Sequence, residues 1–324
     1  MQAFEYTAPT TKEQAVQALA ANWGETEVLA GGTDLLSVMK DYVATPRRVV
    51  DIKGVKELQG ITPRAGGLRI GALVTFDQLI AGAAVKQQYP SLVQAAEGVA
   101  SQQVRARGTV GGDLCQRPRC WYYRAGFGLL AQDNGKPLVP DGENKYHAVF
   151  GGGPAYFVSP SSLGPALVSL DAKVRLFGPA GAREVAAADF FVAPKTSDQR
   201  ENVLKANEIL TEIVLPPPAG RNATYEVRQR TALDWPLAAA AVVLKLEGKR
   251  IVNARVVLGH VAPVPWRSKP AEDALNGKTV SDQLAAQAGE AAVREAQPLN
   301  GNRYKVQLAR VAVKRAILQA ARGV

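Results

Sequence analysis

The chain has 324 residues, of which 47% are hydrophobic and 21% are charged. This composition excludes a disordered chain, a collagen-like repeat and an integral membrane protein. Lysine and arginine number 39 against 29 acidic residues, which gives a formal net charge of +10. Because the charges are scattered along the chain, a nucleic acid, an acidic protein partner and a phosphate-bearing cofactor are all compatible with this excess.

The first fifty residues predict two β–α units followed by a strand. Thr10 or Thr11 is placed to cap the first helix, and Thr33 or Asp34 is placed to cap the second. The strands are expected over residues 4–6, 27–30 and 48–52, where short apolar runs end at turn or capping residues.

The middle of the chain combines regular segments with an irregular stretch. Residues 101–165 contain two glycine clusters and show poor periodicity, which is typical of loops around a site. The regular segments predict a hairpin over 61–73, helices over 75–84, 91–100 and 163–170, and strands over 172–177 and 209–215.

The last hundred residues predict a separate α+β unit. Three alternating segments, 224–231, 237–246 and 251–259, predict an antiparallel three-stranded meander. Helical patterns follow over 269–275, 280–296 and 305–321, so we expect helices to cover one face of this sheet.

The strongest local signal is the segment 28–36, VLAGGTDLL. A predicted strand ends at Gly31 and Gly32, and a predicted helix begins directly after them. Glycines leave backbone N–H groups unshielded, and the start of a helix adds free N–H groups and the positive end of the helix dipole. Together with the Thr33 hydroxyl, this arrangement predicts a diphosphate site, although a tight turn without a ligand explains the same letters. The segment matches neither the Rossmann nor the P-loop glycine pattern.

A second glycine pair, Gly111 and Gly112, follows Thr109 eighty residues later. Two such segments can hold one extended phosphate-bearing ligand from both sides. Segment 116–124 interleaves arginines with aromatic residues, which suits single-stranded nucleic acid or, more simply, packing against a neighbouring domain.

The cysteines and histidines of the chain are few. The two cysteines, Cys115 and Cys120, cannot form a disulfide framework. Together with His147 and His260 they make four possible zinc ligands, but the spacing of these four residues does not suit a zinc site. We expect buried thiols and hydrogen-bonded structural histidines, with His147 on a strand. Because no nucleophile motif is present, no catalytic residue is expected on this chain, and its chemistry is expected from a cofactor.

Taken together, segments 30–35 (AGGTDL) and 109–114 (TVGGDL) resemble the paired FAD-binding motifs in the medium subunit of molybdenum hydroxylases. This family includes xanthine dehydrogenase, aldehyde oxidase and carbon monoxide dehydrogenase. The resemblance extends over nearly the whole chain. It implies an α+β protein with a two-subdomain FAD-binding fold of the vanillyl-alcohol-oxidase type, over residues 1–56 and 57–218, followed by an α+β C-terminal domain over residues 219–324.

The resemblance also implies a cofactor and partners. Electrons would come from a small subunit with two [2Fe–2S] clusters, supplied by a large molybdopterin subunit, and would pass to an external acceptor. Neither a nucleic acid nor membrane insertion is expected. The FAD-binding residues implied on this chain are Val28, Leu29, Ala30, Gly31, Gly32, Thr33, Asp34, Leu35, Thr109, Gly111, Gly112, Asp113 and Leu210.

Segments 119–124 and 144–153 are most similar to the branch with periplasmic aldehyde oxidases, whose medium subunit carries an extra [4Fe–4S] cluster on four cysteines. Cys120 matches the first ligand, but Leu130 and Ala155 occupy two of the other positions, and no cysteine follows Cys120. We therefore expect no [4Fe–4S] cluster and no metal on this chain. The first residues lack signal-peptide features, so we expect the cytoplasm, or the periplasm where an exported partner carries the chain.

Three positions depart from the resembled family. Asp113 replaces a common Asn, Ser162 a common Asp and Glu226 a frequent Lys, which we expect to alter the electronic properties of the flavin rather than its presence. Two alternatives stay open: a basic nucleic-acid-binding or scaffold protein without flavin, and a stand-alone flavin oxidase. The second is disfavoured because no histidine or cysteine stands where covalent flavin attachment would need it.

Overall fold

The computed structural model describes residues 1–323, and its first unit is a three-stranded parallel sheet in the order β1–β3–β2. The predicted succession of two β–α units and a strand is confirmed. Thr11 caps the first helix by accepting the Gln14 N–H at 3.2 Å. Asp34 stands before the second helix, but its side chain makes no capping bond. The elements are β1 (Glu5–Thr7), α1 (Lys12–Gln17), β2 (Thr26–Leu29), α2 (Leu35–Lys40) and β3 (Arg48–Asp51).

The middle unit is built on a five-stranded antiparallel sheet in the order β4–β5–β10–β8–β9. The predicted hairpin and the strand at 209–215 are confirmed, whereas β9 was not predicted. The elements are β4 (Ile61–Arg64), β5 (Gly67–Gly71), α3 (Phe76–Ala81), α4 (Ala83–Gln88), α5 (Pro90–Glu97), α6 (Gln102–Arg107), α7 (Val110–Cys115), α8 (Trp121–Arg124), β6 (Gln132–Asp133), β7 (Lys136–Pro137), α9 (Gly164–Ser169), β8 (Lys173–Gly178), β9 (Gly181–Ala186), α10 (Ala187–Phe190) and β10 (Ile209–Leu215).

Residues 101–165 are more regular than their sequence pattern predicts. The prediction of loops is wrong over α6, α7 and α8. Helix α7 contains two glycines, which disfavour a helix, but tertiary hydrogen bonds hold its first turn. The Val110 and Gly111 N–H groups donate to the carbonyls of Val74 and Ala72, just beyond β5, at 2.8 and 2.9 Å. Tertiary contacts therefore override the local propensity here.

The C-terminal unit is a four-stranded antiparallel sheet, with helices that share its apolar core. Its first three strands match the predicted meander, and a two-residue fourth strand extends it. Buried alanines on β12 and on the last helix belong to this core, and small side chains there allow close approach of the helix to the sheet. The elements are β11 (Arg221–Val227), β12 (Ala238–Glu247), β13 (Arg250–Gly259), β14 (Trp266–Arg267), α11 (Lys269–Leu275), α12 (Asp282–Ala292) and α13 (Tyr304–Arg322).

The three units are in contact through their cores. The core of the middle unit continues into the C-terminal sheet through Ala241, Val243 and Val257. The predicted domain ranges 1–56, 57–218 and 219–324 contain the three-stranded, five-stranded and four-stranded sheets, respectively. The exact boundaries of these domains stay predictions. None of the helices formed by residues 1–323 has the length and apolar character needed to span a bilayer.

Candidate functional site

Two adjoining cavities bring the two glycine segments together. The larger one, about 340 Å³, lies among β2, the start of α2, α7 and β10. The smaller one, about 190 Å³, lies beside α7 and extends to the connection between β11 and β12. The residues that line both cavities mark their junction: Thr33, Asp34, Thr109, Gly112 and Gln116.

The first glycine segment presents free backbone donors at this junction. Within residues 1–323, the N–H groups of Gly31, Gly32 and Thr33 have no hydrogen-bond acceptor. Gly32 has a φ of +74°, a conformation that other residues rarely adopt. A Cβ on Gly31 would lie 2.0 Å from the Arg107 carbonyl oxygen, so only glycine fits against that chain. The segment is therefore held tightly while its amides remain available to an anion.

The second glycine segment has no such free donors. The Val110 and Gly111 N–H groups bond to the chain beyond β5, and the Gly112 N–H donates to the Thr109 hydroxyl at 3.1 Å. Thr109 is thus the cap of α7. Gly111 also packs closely, because a Cβ there would lie 2.9 Å from the Ala72 Cβ. This segment therefore offers the cavities its carbon surface rather than its amides.

Asp113 lines the smaller cavity but has its acceptors engaged within the chain. One carboxylate oxygen accepts the Ser161 hydroxyl at 2.5 Å and the Leu163 N–H at 3.0 Å, and the other accepts the Ser162 N–H at 3.2 Å. Gln116 Nε2 donates to the second oxygen at 3.0 Å. Burial raises the pKa of Asp113 to about 6. The side chain therefore ties α7 to the start of α9, which makes it a positioning residue for the cavity wall.

Asp34 gathers positive charge beside the free amides. Its carboxylate accepts the Arg117 backbone N–H at 2.7 Å and pairs with the guanidinium groups of Arg119 and Arg124, each at 2.8 Å. Two guanidinium groups therefore share one carboxylate, which leaves a local positive charge next to Gly31–Thr33. Such a charge favours a phosphate group at this position.

The structure gathers nearly all of the predicted cofactor-binding residues at the cavities. Leu29 lines neither, although its side chain lies next to Gly32. Several other lining residues belong to no sequence motif and were not predicted: Trp23, Glu27, Gln116, Arg200 and Asn202. Asp113 lines the smaller cavity, and the larger one is lined by Val28, Ala30, Gly31, Gly32, Thr33, Asp34, Leu35, Thr109, Gly111, Gly112 and Leu210.

The arginine-rich aromatic segment packs against the rest of the protein. Trp235 lies in the connection between β11 and β12. The Arg119 guanidinium lies 4.8 Å from the centre of its ring. Trp121 donates its indole N–H to the Glu143 carbonyl at 3.1 Å and contacts the Tyr146 ring. These contacts are the ones that the packing interpretation predicts.

The thiols and histidines have structural environments. Burial raises the pKa of Cys115 to about 12, so this thiol stays protonated beside the larger cavity. The sulfur of Cys120 lies 3.1 Å from His147 Nε2. The prediction that His147 lies on a strand is wrong, because it occupies a buried loop fixed by the Asn144 carbonyl. Among residues 1–323, no three His, Cys, Asp or Glu side chains are grouped to hold a metal ion.

The two positions at which the resemblance would place further cluster cysteines, Leu130 and Ala155, belong to a small apolar core. Leu130 and Ala155 are buried together with Tyr123, Leu129 and Phe157, and Cys120 packs at the edge. Such side chains stabilise this region by excluding water from apolar surface rather than by ligating iron.

Comparisons with known proteins agree with this architecture. The family model described as the FAD binding domain in molybdopterin dehydrogenase matches residues 2–218. The family model described as the CO dehydrogenase flavoprotein C-terminal domain matches residues 223–320. The first match ends at Pro218, the last of the three prolines that follow β10, and the second begins within β11.

Relatives and solved structures match over nearly the full chain. The aldehyde oxidoreductase FAD-binding subunit PaoB of Escherichia coli strain K12 is 33% identical over 96% of both chains. The carbon monoxide dehydrogenase medium chain of Hydrogenophaga pseudoflava is 31% identical over 97% of this chain and 96% of the relative. A chain of quinoline 2-oxidoreductase from Pseudomonas putida 86 superposes with a TM-score of 0.77 at 29% identity, covering 99% of this chain and 98% of that one. The protein described here therefore belongs to the family of FAD-binding medium subunits of molybdenum hydroxylases.

Proposed function

We propose that this chain holds FAD across the two adjoining cavities and serves as the electron outlet of an aldehyde-oxidising heterotrimer. The observation that carries the site is the set of free N–H groups on Gly31, Gly32 and Thr33, placed where the cavities meet. When bound, FAD supplies the ability to take up electrons from an iron–sulfur centre and release them to another acceptor.

The residues present fit a dinucleotide. The free amides donate to a diphosphate, and the positive charge of the Asp34, Arg119 and Arg124 group lies beside them. A cavity on each side of the junction accommodates one of the two ring systems that a diphosphate joins. Apolar side chains such as Val28 and Leu210 line the larger cavity and exclude water from that half of the ligand.

The proposed partners are a small subunit with two [2Fe–2S] clusters and a large molybdopterin subunit. Support comes from the relatives, which include an aldehyde oxidoreductase subunit and carbon monoxide dehydrogenase medium chains. Oxidation of the organic substrate belongs to the large subunit in this proposal, since no residue of this chain is assigned a catalytic role. Neither nucleic acid nor a membrane takes part, and the compartment is the cytoplasm, or the periplasm where an exported partner carries the chain.

The test is electron transfer in the assembled complex. The chain is co-expressed with the small and large subunits. The purified complex is then mixed with an aldehyde under anaerobic conditions. We expect equimolar FAD and bleaching of the flavin absorbance after the iron–sulfur centres are reduced. A complex without FAD, or a flavin that stays oxidised while the iron–sulfur centres are reduced, would contradict the proposal.

A further inference from the structure

A buried ion pair lies directly behind the wall of the smaller cavity. Glu226 is on β11 and Arg228 follows that strand, and their side chains are 8% and 14% exposed, respectively. Gly98 follows α5 and lines the cavity. A Cβ on Gly98 would collide with both the Glu226 carboxylate and the Arg228 guanidinium. The ion pair therefore fills the space that a side chain at position 98 would take, next to the cavity.

The pair leaves part of its hydrogen-bonding capacity unused. A terminal nitrogen of the Arg228 guanidinium donates to Glu226 Oε2. Glu226 Oε1 and Arg228 Nε are buried, and neither has a hydrogen-bond partner in residues 1–323. An ionised carboxylate only accepts hydrogen bonds, whereas a protonated one also carries an O–H group. A proton can therefore be added at Oε1 without loss of a hydrogen bond of the folded chain.

The surroundings of Glu226 favour a carboxyl group that titrates near neutral pH. Burial raises the pKa of Glu226 to about 7, and the nearby Arg228 charge opposes this rise. The charge of Asp113 on α7, which lines the smaller cavity, raises the pKa of Glu226 further. A change of charge in this cavity therefore acts on a group that is ready to bind or release a proton.

Two further titratable groups lie close to this pair. Arg119 lines the smaller cavity, and its charge partly offsets the effect of burial on the pKa of Asp113. His260 follows β13 and is buried. Its pKa is lowered to about 3 by burial and by the charges of Lys305 and Arg228, so this imidazole stays neutral.

The elements packed against β11 add little charge next to Glu226. Helix α5 contributes Glu97, whose side chain is exposed. Helix α13 contributes Arg315, whose guanidinium donates to the Tyr225 hydroxyl. Strand β12 places Ala239 opposite Glu226. The charges of Arg228 and Asp113 are therefore the ones that act on Glu226.

We propose that Glu226 takes up one proton when a pair of electrons enters the cleft, and so couples the midpoint potential of the bound cofactor to pH. The electrons come from the iron–sulfur centre of the partner and stay on the cofactor. The proton comes from solvent and forms an O–H bond at Glu226 Oε1, so the carboxylate becomes a carboxylic acid and gains no electron. This inference rests on the proposed function, because it requires a redox-active ring in the smaller cavity.

Simple electrostatics sets the pH range of this uptake. A negative charge added at roughly 10 Å raises the pKa of a carboxyl group by about 1. Below about pH 7, Glu226 is protonated before and after the electrons arrive. Well above about pH 8 it is ionised in both states. The proton is therefore taken up between these two values.

The test is the midpoint potential of the FAD-loaded full chain, measured by spectroelectrochemical titration at several pH values. In the parent, the equilibrium constant for two-electron reduction should fall by an additional tenfold per pH unit between about pH 7 and about pH 8, which is about 30 mV. Glu226→Gln should lack this additional slope, because the amide does not titrate. Below about pH 7 the two proteins should have the same slope.

Infrared difference spectra of the oxidised and reduced protein give a second readout. The parent should gain a C=O band of a protonated carboxyl group on reduction, and this band should shift in D2O. The band should be absent from Glu226→Gln. A side chain with a merely structural role would not produce it.

Two further variants separate this effect from folding. Glu272→Gln is the matched control, because Glu272 is also buried and paired with an arginine, Arg267, but lines neither cavity. If Glu226→Gln does not fold, the double variant Glu226→Gln with Arg228→Met carries the test. The double variant leaves no unpaired charge in the interior.

The outcomes are distinct. Potentials of the parent and of the folded Glu226 variant that change in parallel with pH would overturn the assignment. A carboxyl band that persists in this variant, or loss of the additional slope in Glu272→Gln as well, would also overturn it. If the parent chain binds no FAD, the proposed function itself fails, which is a different result from any of these.

Discussion

The two glycine segments at the cleft look alike in sequence and differ in what they offer a ligand. The pair Gly31–Gly32 keeps its N–H groups free at the junction of the cavities. The N–H groups of Gly111 and Gly112 are bonded to Ala72 and Thr109. A glycine pair thus indicates close approach of backbone in both places, whereas only the hydrogen-bond pattern identifies the segment that can bind an anion.

The largest expected effect follows from the packing of Gly31. A Cβ there meets the Arg107 carbonyl oxygen at 2.0 Å, so Gly31→Ala should separate the two segments and lower the free energy of unfolding by roughly 3 kcal/mol. Urea unfolding of the full chain measures this loss. Gly54→Ala is the control, because its Cβ has only an ordinary contact at 3.4 Å. A stable, FAD-binding Gly31→Ala protein would show that the close approach is not required.

Asp113 tests whether the second segment is fixed by its own hydrogen bonds. Asn at this position presents an amide group to the N–H of Ser162 or Leu163, so Asp113→Asn should cost about 2 kcal/mol of stability. Because burial raises the pKa of Asp113 from 3.8 to about 6, the folded chain binds more protons than the unfolded chain between these values. The free energy of unfolding of the parent, minus that of the variant, should therefore decline as the pH rises from about 4 to about 6. Urea unfolding of both proteins at several pH values measures this difference. A pH-independent difference would contradict this environment for the carboxyl group.

Thr109 should behave as a helix cap. Thr109→Ala removes the acceptor of the Gly112 N–H and should cost about 1 kcal/mol in the free energy of unfolding. Ser281→Ala removes the corresponding cap of α12, far from the cleft, and should cost a similar amount. If Thr109→Ala leaves stability unchanged but abolishes FAD binding, the hydroxyl is a ligand contact instead.

Thr33 should show the opposite behaviour, with the smallest effect on stability. Its side chain is exposed and has no hydrogen-bond partner in residues 1–323. Thr33→Ala should leave the free energy of unfolding within about 0.5 kcal/mol of the parent and weaken FAD binding by roughly two- to tenfold through loss of one hydrogen bond. Titration of the flavin-free chain with FAD measures this effect. A loss of stability equal to that of Thr109→Ala would remove the contrast between the two segments.

The sequence predicted the elements where the local pattern and the tertiary structure agree. Strands such as Ile209–Leu215 have a clear apolar pattern, and Thr11 caps the first helix as expected. Helix α7 was missed because its glycines contradict helical propensity, and bonds to residues beyond β5 hold it.

The candidate site also has a part that the sequence predicts and a part that it does not. The glycine motifs are local and could be predicted. Trp23 and Arg200 come together only through the fold, since no motif joins residues so far apart in the chain. The role of Asp113 also depends on partners some fifty residues away, at Ser161 and Leu163.

The most direct measurement is the visible spectrum of the purified chain, with the cofactor released on denaturation identified. We expect paired flavin bands and equimolar FAD in the parent chain, and weaker FAD binding in Thr33→Ala. A broad brown absorbance with bound iron would contradict the expectation that Leu130 and Ala155 leave this chain without a [4Fe–4S] cluster. A folded, colourless chain that takes up no added FAD would contradict the central claim that the free amides at Gly31–Thr33 hold a dinucleotide.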